Sequence, residues 1–240
     1  MKRYPVLILA YRRTTELQLV LDSLAQLNPS IIYFHLHDAP NEEHQKEVNE
    51  VKKLISLYKG AKEVKYSKEP LGNTSSFYTA LEWISSKEEQ FYIFEDDILL
   101  HENVSSKLDS LMTRLSIEDG VVKFGDRRNE PVYWGWATTS KTAKRLLTTK
   151  ITDFSYDEIG SFFTNKIHYQ GTMKLYERRR ASAWDDECGI LTKVLGINEI
   201  LSKTTLTDHI GYNSTRIDSG IDEGFGINTH VLYINGKLAN

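Results

Sequence analysis

The sequence predicts an α/β/α sandwich with a mostly parallel central sheet, and three observations carry the prediction. Apolar runs of strand length alternate with amphipathic helical stretches through the first half of the chain. Except at 62–66, these segments are apolar on nearly consecutive positions, as strands covered on both faces are. The fourth of them ends abruptly in three acidic residues, Glu95, Asp96 and Asp97. Such alternation gives helices on both faces of a parallel sheet. Right-handed crossovers then bring the loops that follow the strands to one edge, where open α/β sheets bind ligands.

Residues 6–10 (VLILA) form the first expected strand. Thr15 and Gln18 have capping-box spacing, and Leu17, Val20, Leu21, Leu24 and Leu27 continue at a helical period. A second strand spans 31–36 and ends in the turn-like HDAPN. Val48, Val51, Ile55 and Tyr58 mark one face of a second helix, and a third strand covers 62–66. EPLGN closes it. A third helix runs over 74–84 with Phe77, Leu81 and Ile84 inward, and the fourth strand is 91–94. Leu108, Leu111, Met112 and Leu115 mark a further helix.

The second half is less regular. Residues 125–137 are rich in aromatic and polar side chains, 140–147 have helical character, and 155–180 carry five aromatics without a clear period, as a lid or a small packed subdomain would. There is no internal repeat, low-complexity stretch or linker. One domain over 1–240 is expected, with a regular half at 1–100 and a less regular half at 101–240.

The 240 residues suffice for one sizeable core. Thirty basic and 33 acidic side chains give a net charge of -3, so nucleic acid is not an expected partner, the local run Arg178–Arg180 notwithstanding. The single cysteine, Cys188, excludes an internal disulfide and a cysteine-rich zinc site, and fits a reducing, cytoplasmic setting. The apolar run at 6–10 is too short for a signal peptide or a membrane span. Any work at a membrane would be peripheral, at its inner face.

Adjacent ionised carboxylates at a buried strand end repel, so folding disfavours them unless something positive compensates. Magnesium and manganese take one or two carboxylates and complete their shell with phosphate oxygens and water. The plainer account is a strand-to-helix turn with one carboxylate as a cap. The flanking apolar runs FYIF and ILL anchor the acids at the ligand-binding edge and favour the cation.

A strand ending in an acidic pair and preceded by EPLGNTSSFYTALEWI resembles the donor half of Rossmann-like GT-A glycosyltransferases. PVLILAYRR is similar to the family's opening strand, and YWGWATTSKTAKRLL to the aromatic segment of bacterial family-2-like sugar transferases. AWDDECG and TLTDHIGYNST resemble segments of the inverting N-acetylglucosaminyltransferase that initiates complex N-glycans. The resemblance covers most of the chain. It implies a UDP-sugar donor, a glycan or glycoconjugate acceptor, and Mn2+ or Mg2+.

Carried over by position, Ala10, Tyr11 and Arg12 border the nucleotide, Asp38 hydrogen-bonds the uracil, and Asn73 approaches the nucleotide-sugar. Glu95 belongs to the donor site, Asp96 contacts the ribose or donor sugar, and Asp97 binds the metal. Asp186 falls where related enzymes place the general base, and a carboxylate suits that role. Asp185 is assigned to capping or the acceptor, since an acid in a helix's first turn meets the dipole. Trp134 and Trp136 are candidates for a platform under the acceptor sugar, with core packing the alternative for one of them. His209 is a candidate metal ligand, although bacterial relatives often carry Asn there. Arg178, Arg179 and Arg180 could close on a diphosphate, against the default of a solvated charge run.

Other classes lack their signatures. RRTTEL has none of the glycines of a sugar-nucleotide pyrophosphorylase loop, and neither a P-loop, a dinucleotide GxGxxG nor a GxSxG elbow is present. Two alternatives stay open: a nucleotide-sugar-binding module without turnover, and a sugar-nucleotide pyrophosphorylase-like nucleotidyltransferase that departs from the usual glycine-rich loop.

Overall fold

A computed structural model describes residues 2–127, 130–161, 184–202, 204–211, 233–234 and 237–238. The first half runs β1 (Val6–Leu9), α1 (Thr14–Leu24), β2 (Ile32–His37), α2 (Glu42–Leu57), β3 (Lys62–Ser67), α3 (Asn73–Ser85) and β4 (Gln90–Glu95). Then follow β5 (Ile98–Leu100), α4 (Ser105–Glu118), β6 (Val121–Arg127), β7 (Glu130–Thr139), α5 (Ser140–Thr148) and α6 (Tyr156–Ser161). Beyond residue 183 come α7 (Trp184–Val194), β8 (Glu199–Leu201) and β9 (Thr207–His209).

Seven strands form the main sheet in the order β3-β2-β1-β4-β7-β6-β8. Only β7 runs against its neighbours there; the β1–β2, β1–β4, β2–β3 and β6–β8 pairs are parallel. Alternate residues of the central strands feed two apolar layers. Val6, Ile8, Phe34 and Phe94 pack with Leu17, Val20 and Leu24 of α1, Val51 and Ile55 of α2, and Leu108 and Met112 of α4. Leu7, Leu9 and Ile93 pack with Phe77, Leu81 and Ile84 of α3, Leu146 of α5, and Trp184 and Leu191 of α7. The predicted α/β/α sandwich with a mostly parallel sheet is the observed architecture.

Two local expectations are corrected. Helix α1 begins at Thr14 with Arg13 as its cap and no side-chain cap bond, and Gln18 donates forward to Asp22 Oδ1 at 2.8 Å. The Thr15–Gln18 box therefore does not form. Asn41 is the effective local cap, its side chain accepting the His44 N–H at 2.9 Å. In the second half, residues 162–180 of the stretch without a clear period lie outside the described residues, while residues 125–127 and 130–137, expected only to be rich in aromatic and polar side chains, belong to the β6–β7 hairpin. Its pattern is hidden because a bulge falls between Lys123 and Gly125 and the partner strand is bent at Gly135.

Gly135 has φ +72°, and a Cβ there would stand 2.9 Å from the Phe94 ring. The bend explains the fate of the two tryptophans around it. Residues two apart on a regular strand share a face. Here Trp134 packs on the α1 side of the sheet while Trp136 joins the α3 side. Trp136 is 0% exposed, edge-on to Tyr133 at 5.0 Å and near Trp184 and Phe77. Its assignment to the acceptor platform is thus corrected: it is a core side chain. Trp136→Ala should cost about 3–5 kcal/mol, the usual range for a buried aromatic. Urea unfolding of the two proteins checks this; a loss under about 1 kcal/mol would contradict the packing.

Candidate functional site

The chain leaves β1 toward β2 and β3 on one side, while β4 lies on the other side of β1. The segments after β1 and β4 therefore diverge, and the crevice between them is the topological switch point of the sheet. Ala10 to Arg13 leave one strand there and Asp96 and Asp97 leave the other. Backbone bonds fix the two against each other: the Ala10 N–H donates to the His35 carbonyl and the Asp96 N–H to that of Leu9, each at 3.0 Å.

Asp96 and Asp97 are 1% and 2% exposed. Asp96 Oδ2 accepts the Tyr11 N–H at 2.8 Å. Arg13 Nη1 lies 2.7 Å from Asp96 Oδ1 and 3.0 Å from Asp97 Oδ2, so one guanidinium bridges both carboxylates. Burial pulls the Arg13 pKa down, but the two aspartates outweigh it and hold the guanidinium charged, above its ordinary value. For Asp96 burial dominates and raises the carboxyl, against the lowering pull of Arg13. Arg13 is the positive group that two buried acids require.

A second strand pair completes the pocket wall. β5, directly after Asp97, pairs antiparallel with β9, with Ile98 opposite His209. The Ile210 N–H donates to the Asp97 carbonyl at 2.8 Å. His209 Nε2 stands 3.5 Å from Asp97 Oδ2, and its ring centroid is 5.3 Å from that of Trp134. The backbone at Gly211 runs so close that a Cβ there would overlap Asp97 Oδ2.

The other expected residues fall around this centre. Glu95 ends β4, in register with Leu9 of β1. Tyr11 stacks on His37 at 4.5 Å with 26° between the rings, and Arg12 Nε pairs with Glu47 at 2.9 Å. Burial lowers the His37 pKa, so that ring is neutral at pH 7. Asp38 follows β2 and accepts from the Tyr66 hydroxyl, with Lys52 Nζ at 3.4 Å; the Tyr66 bond foremost holds its carboxyl below the ordinary range. Asn73 is the first residue of α3, after Gly72. Asp185 and Asp186 are the second and third residues of α7. The Arg178–Arg180 run lies outside the described residues.

The structure thus brings residues 10–13, 37–38, 95–97 and 209–211 to one edge, and Trp134 beside them. Sequence reasoning gave no role to Arg13, His37 or Gly211. The signal for Arg13 was the acidic pair itself, which demands a cation, but an arginine more than eighty positions upstream has no local mark.

The donor set can be tested against the divalent ion that the resemblance implies. Among the described residues no three of His, Cys, Asp and Glu form a ready-made cage. Mg2+ and Mn2+ need less, because phosphate oxygens and water supply the rest of the shell. Asp97 Oδ1 is buried and accepts no hydrogen bond, and the absence of a side chain at Gly211 lets the same carboxylate lie against the backbone there. With the His209 imidazole facing Asp97, the residues fit such an ion.

Open parallel sheets bind ligands in the crevice at the switch point, and here that crevice carries a buried acidic pair. The family model of glycosyltransferase family 25 (LPS biosynthesis protein) matches residues 11–179. The chain belongs to that family. No curated protein matches it in sequence. Residues 1–349 of TarS from S. aureus share the fold, with a TM-score of 0.51 at 12% identity over 86% of this chain and 60% of that one. The 4-diphosphocytidyl-2C-methyl-D-erythritol synthase of Anaerococcus prevotii is similar at a TM-score of 0.44 and 10% identity, over 83% of this chain and 87% of that one. No helix among the described residues is long and apolar enough to cross a membrane.

Proposed function

We propose that this glycosyltransferase moves a sugar from a UDP-sugar to a hydroxyl of a glycan or glycoconjugate, with inversion. The observation that carries the reading is the buried Asp96–Asp97 pair at the switch point, bridged by Arg13, in a chain of a glycosyltransferase family. Tyr11 and His37 offer a stacked aromatic wall for the nucleoside, and Asp38 accepts from the pyrimidine N–H. Asp96 holds the ribose or donor sugar, and Ala10, Arg12, Asn73 and Glu95 border it. Asp97 and His209 hold Mn2+ or Mg2+, which when bound neutralises the charge that develops on the departing diphosphate. Trp134 supplies the apolar face for the acceptor, and Asp186 takes the proton from its hydroxyl, on the side opposite the leaving group. Asp185 orients the acceptor.

The decisive experiment is a thermal-shift panel of UDP- and GDP-sugars with and without manganese. A ligand that binds only the native state adds about 2.7 kcal/mol of stability at roughly a hundred times its Kd. UDP-sugars should raise the melting temperature, more so with manganese. GDP-sugars bound as tightly as UDP-sugars would remove Asp38 from the uracil, and no response to any nucleotide-sugar would remove the donor site.

A further inference from the structure

Away from the catalytic edge, charge is distributed very unevenly. Residues 51–68 carry six lysines and one glutamate, a net of +5 in a chain whose total is -3. They form the C-terminal half of α2, the following turn and β3, which is an outer strand of the sheet. Some of these lysines have internal work. Lys62 donates to the carbonyls of Ile55, Ser56 and Tyr58 at 2.7–2.8 Å and so closes the end of α2; Lys52 serves Asp38 and Tyr66. Glu63, the single acid, is paired with Lys87.

Lys53, Lys59 and Lys68 are exposed. Among them stand two apolar side chains that folding has left outside, Leu57 at 59% and Val64 at 48% exposure. Lys53 and Leu57 are one helical turn apart on the same face of α2. Val64 shares a face of β3 with Tyr66, which packs on the α2 side of the sheet. Glu50, a turn before Lys53, and Glu69, directly after Lys68, are the acidic limits of the patch.

From this distribution we infer that the α2–β3 face docks on an anionic lipid bilayer surface. Lysines attract acidic headgroups over a Debye length, and short apolar side chains between them insert shallowly. A protein partner fits less well. Protein interfaces favour arginine and aromatic side chains and are depleted in lysine, whereas residues 51–68 contain no arginine and keep both tyrosines turned inward. The face also continues to the functional edge, since the Asp38 N–H donates to the carbonyl of Ser67, next to Lys68. Docking would hold the crevice beside the lipid surface.

The test is co-sedimentation of the full chain with vesicles of phosphatidylcholine alone or with phosphatidylglycerol added. The chain should sediment only with the anionic vesicles and be released by about 0.5 M salt, where the Debye length is a few ångströms. The triple variant Lys53→Gln, Lys59→Gln, Lys68→Gln should bind at least about tenfold more weakly. A control with the same charge change elsewhere, Lys141→Gln, Lys144→Gln, Lys150→Gln on and after α5, should bind as wild type. Both triple variants alter exposed side chains, and unchanged melting temperatures show that they fold. Equal loss in the two variants would reduce the effect to net charge and overturn the assignment. So would sedimentation with neutral vesicles, or no sedimentation by wild type. Retention on an acidic polypeptide without vesicle binding would overturn it in favour of a protein partner.

Discussion

Replacing Asp186 with asparagine is expected to leave nucleotide-sugar binding intact and to cut the transfer rate by at least about a hundredfold. A positioned general base contributes about 10²- to 10⁴-fold, and asparagine keeps the shape of aspartate but takes no proton at neutral pH. Asp186 lies in the first turn of α7, a helix held by Trp184 stacked on Phe77 at 4.1 Å and by Thr192 Oγ1 at 2.8 Å from the Tyr133 hydroxyl. Those contacts stay in place in the variant, and asparagine has nearly the shape of aspartate, so the helix should survive the substitution. Asp185→Asn should lose less. Single-turnover transfer, with donor affinity measured on the same preparation, separates a lost base from lost binding. Near-normal transfer by Asp186→Asn would eliminate the residue as the base.

Asp97→Asn should abolish the contribution of manganese to nucleotide binding. The variant trades a buried anion for a neutral amide beside Arg13, which still has Asp96 at 2.7 Å, so the fold should survive. Calorimetric titration of UDP with and without manganese reads the effect: wild type should gain affinity from the metal, the variant none. Gly211→Ala supplies an independent approach to the same carboxylate, because its Cβ would overlap Asp97 Oδ2 and force the side chain to move. It should weaken the manganese-dependent part of UDP binding at least about tenfold with every acid in place. If Asp97→Asn keeps the wild-type metal response, Asp97 is not the ligand.

The first half of the fold was legible because its information is local. Three apolar runs, the mixed segment at 62–66 and the helical periods between them suffice for β1 to β4 and for α1 to α4, whereas the placing of β4 beside β1 is a property of the folded sheet. The segments that meet at the crevice could be anticipated on the same grounds, since loops after parallel strands share an edge. What could not be read depends on geometry that no window of sequence contains. Arg13 lies two residues beyond Tyr11, yet its partners are 83 and more positions away. Trp134 and Trp136 look alike in the sequence, and only the left-handed backbone at Gly135 sends one to the site and the other to the core. The β5–β9 pair is equally silent, because three residues on each side are too few to show a period. His209 was noticed as a residue type; that it faces Asp97 is a property of the pairing.

That same β5–β9 pair has a consequence for the order in which the protein is made. The four strands β1 to β4 and the acidic pair all lie within the first hundred residues. Asp97 acquires its Ile210 N–H, its imidazole neighbour and the close backbone of Gly211 only after about a hundred more residues have been translated. A half-synthesised chain therefore carries the sheet edge and the acidic pair without the wall that closes over them. A product truncated before residue 209 lacks the imidazole and the close backbone that face Asp97 in the finished molecule.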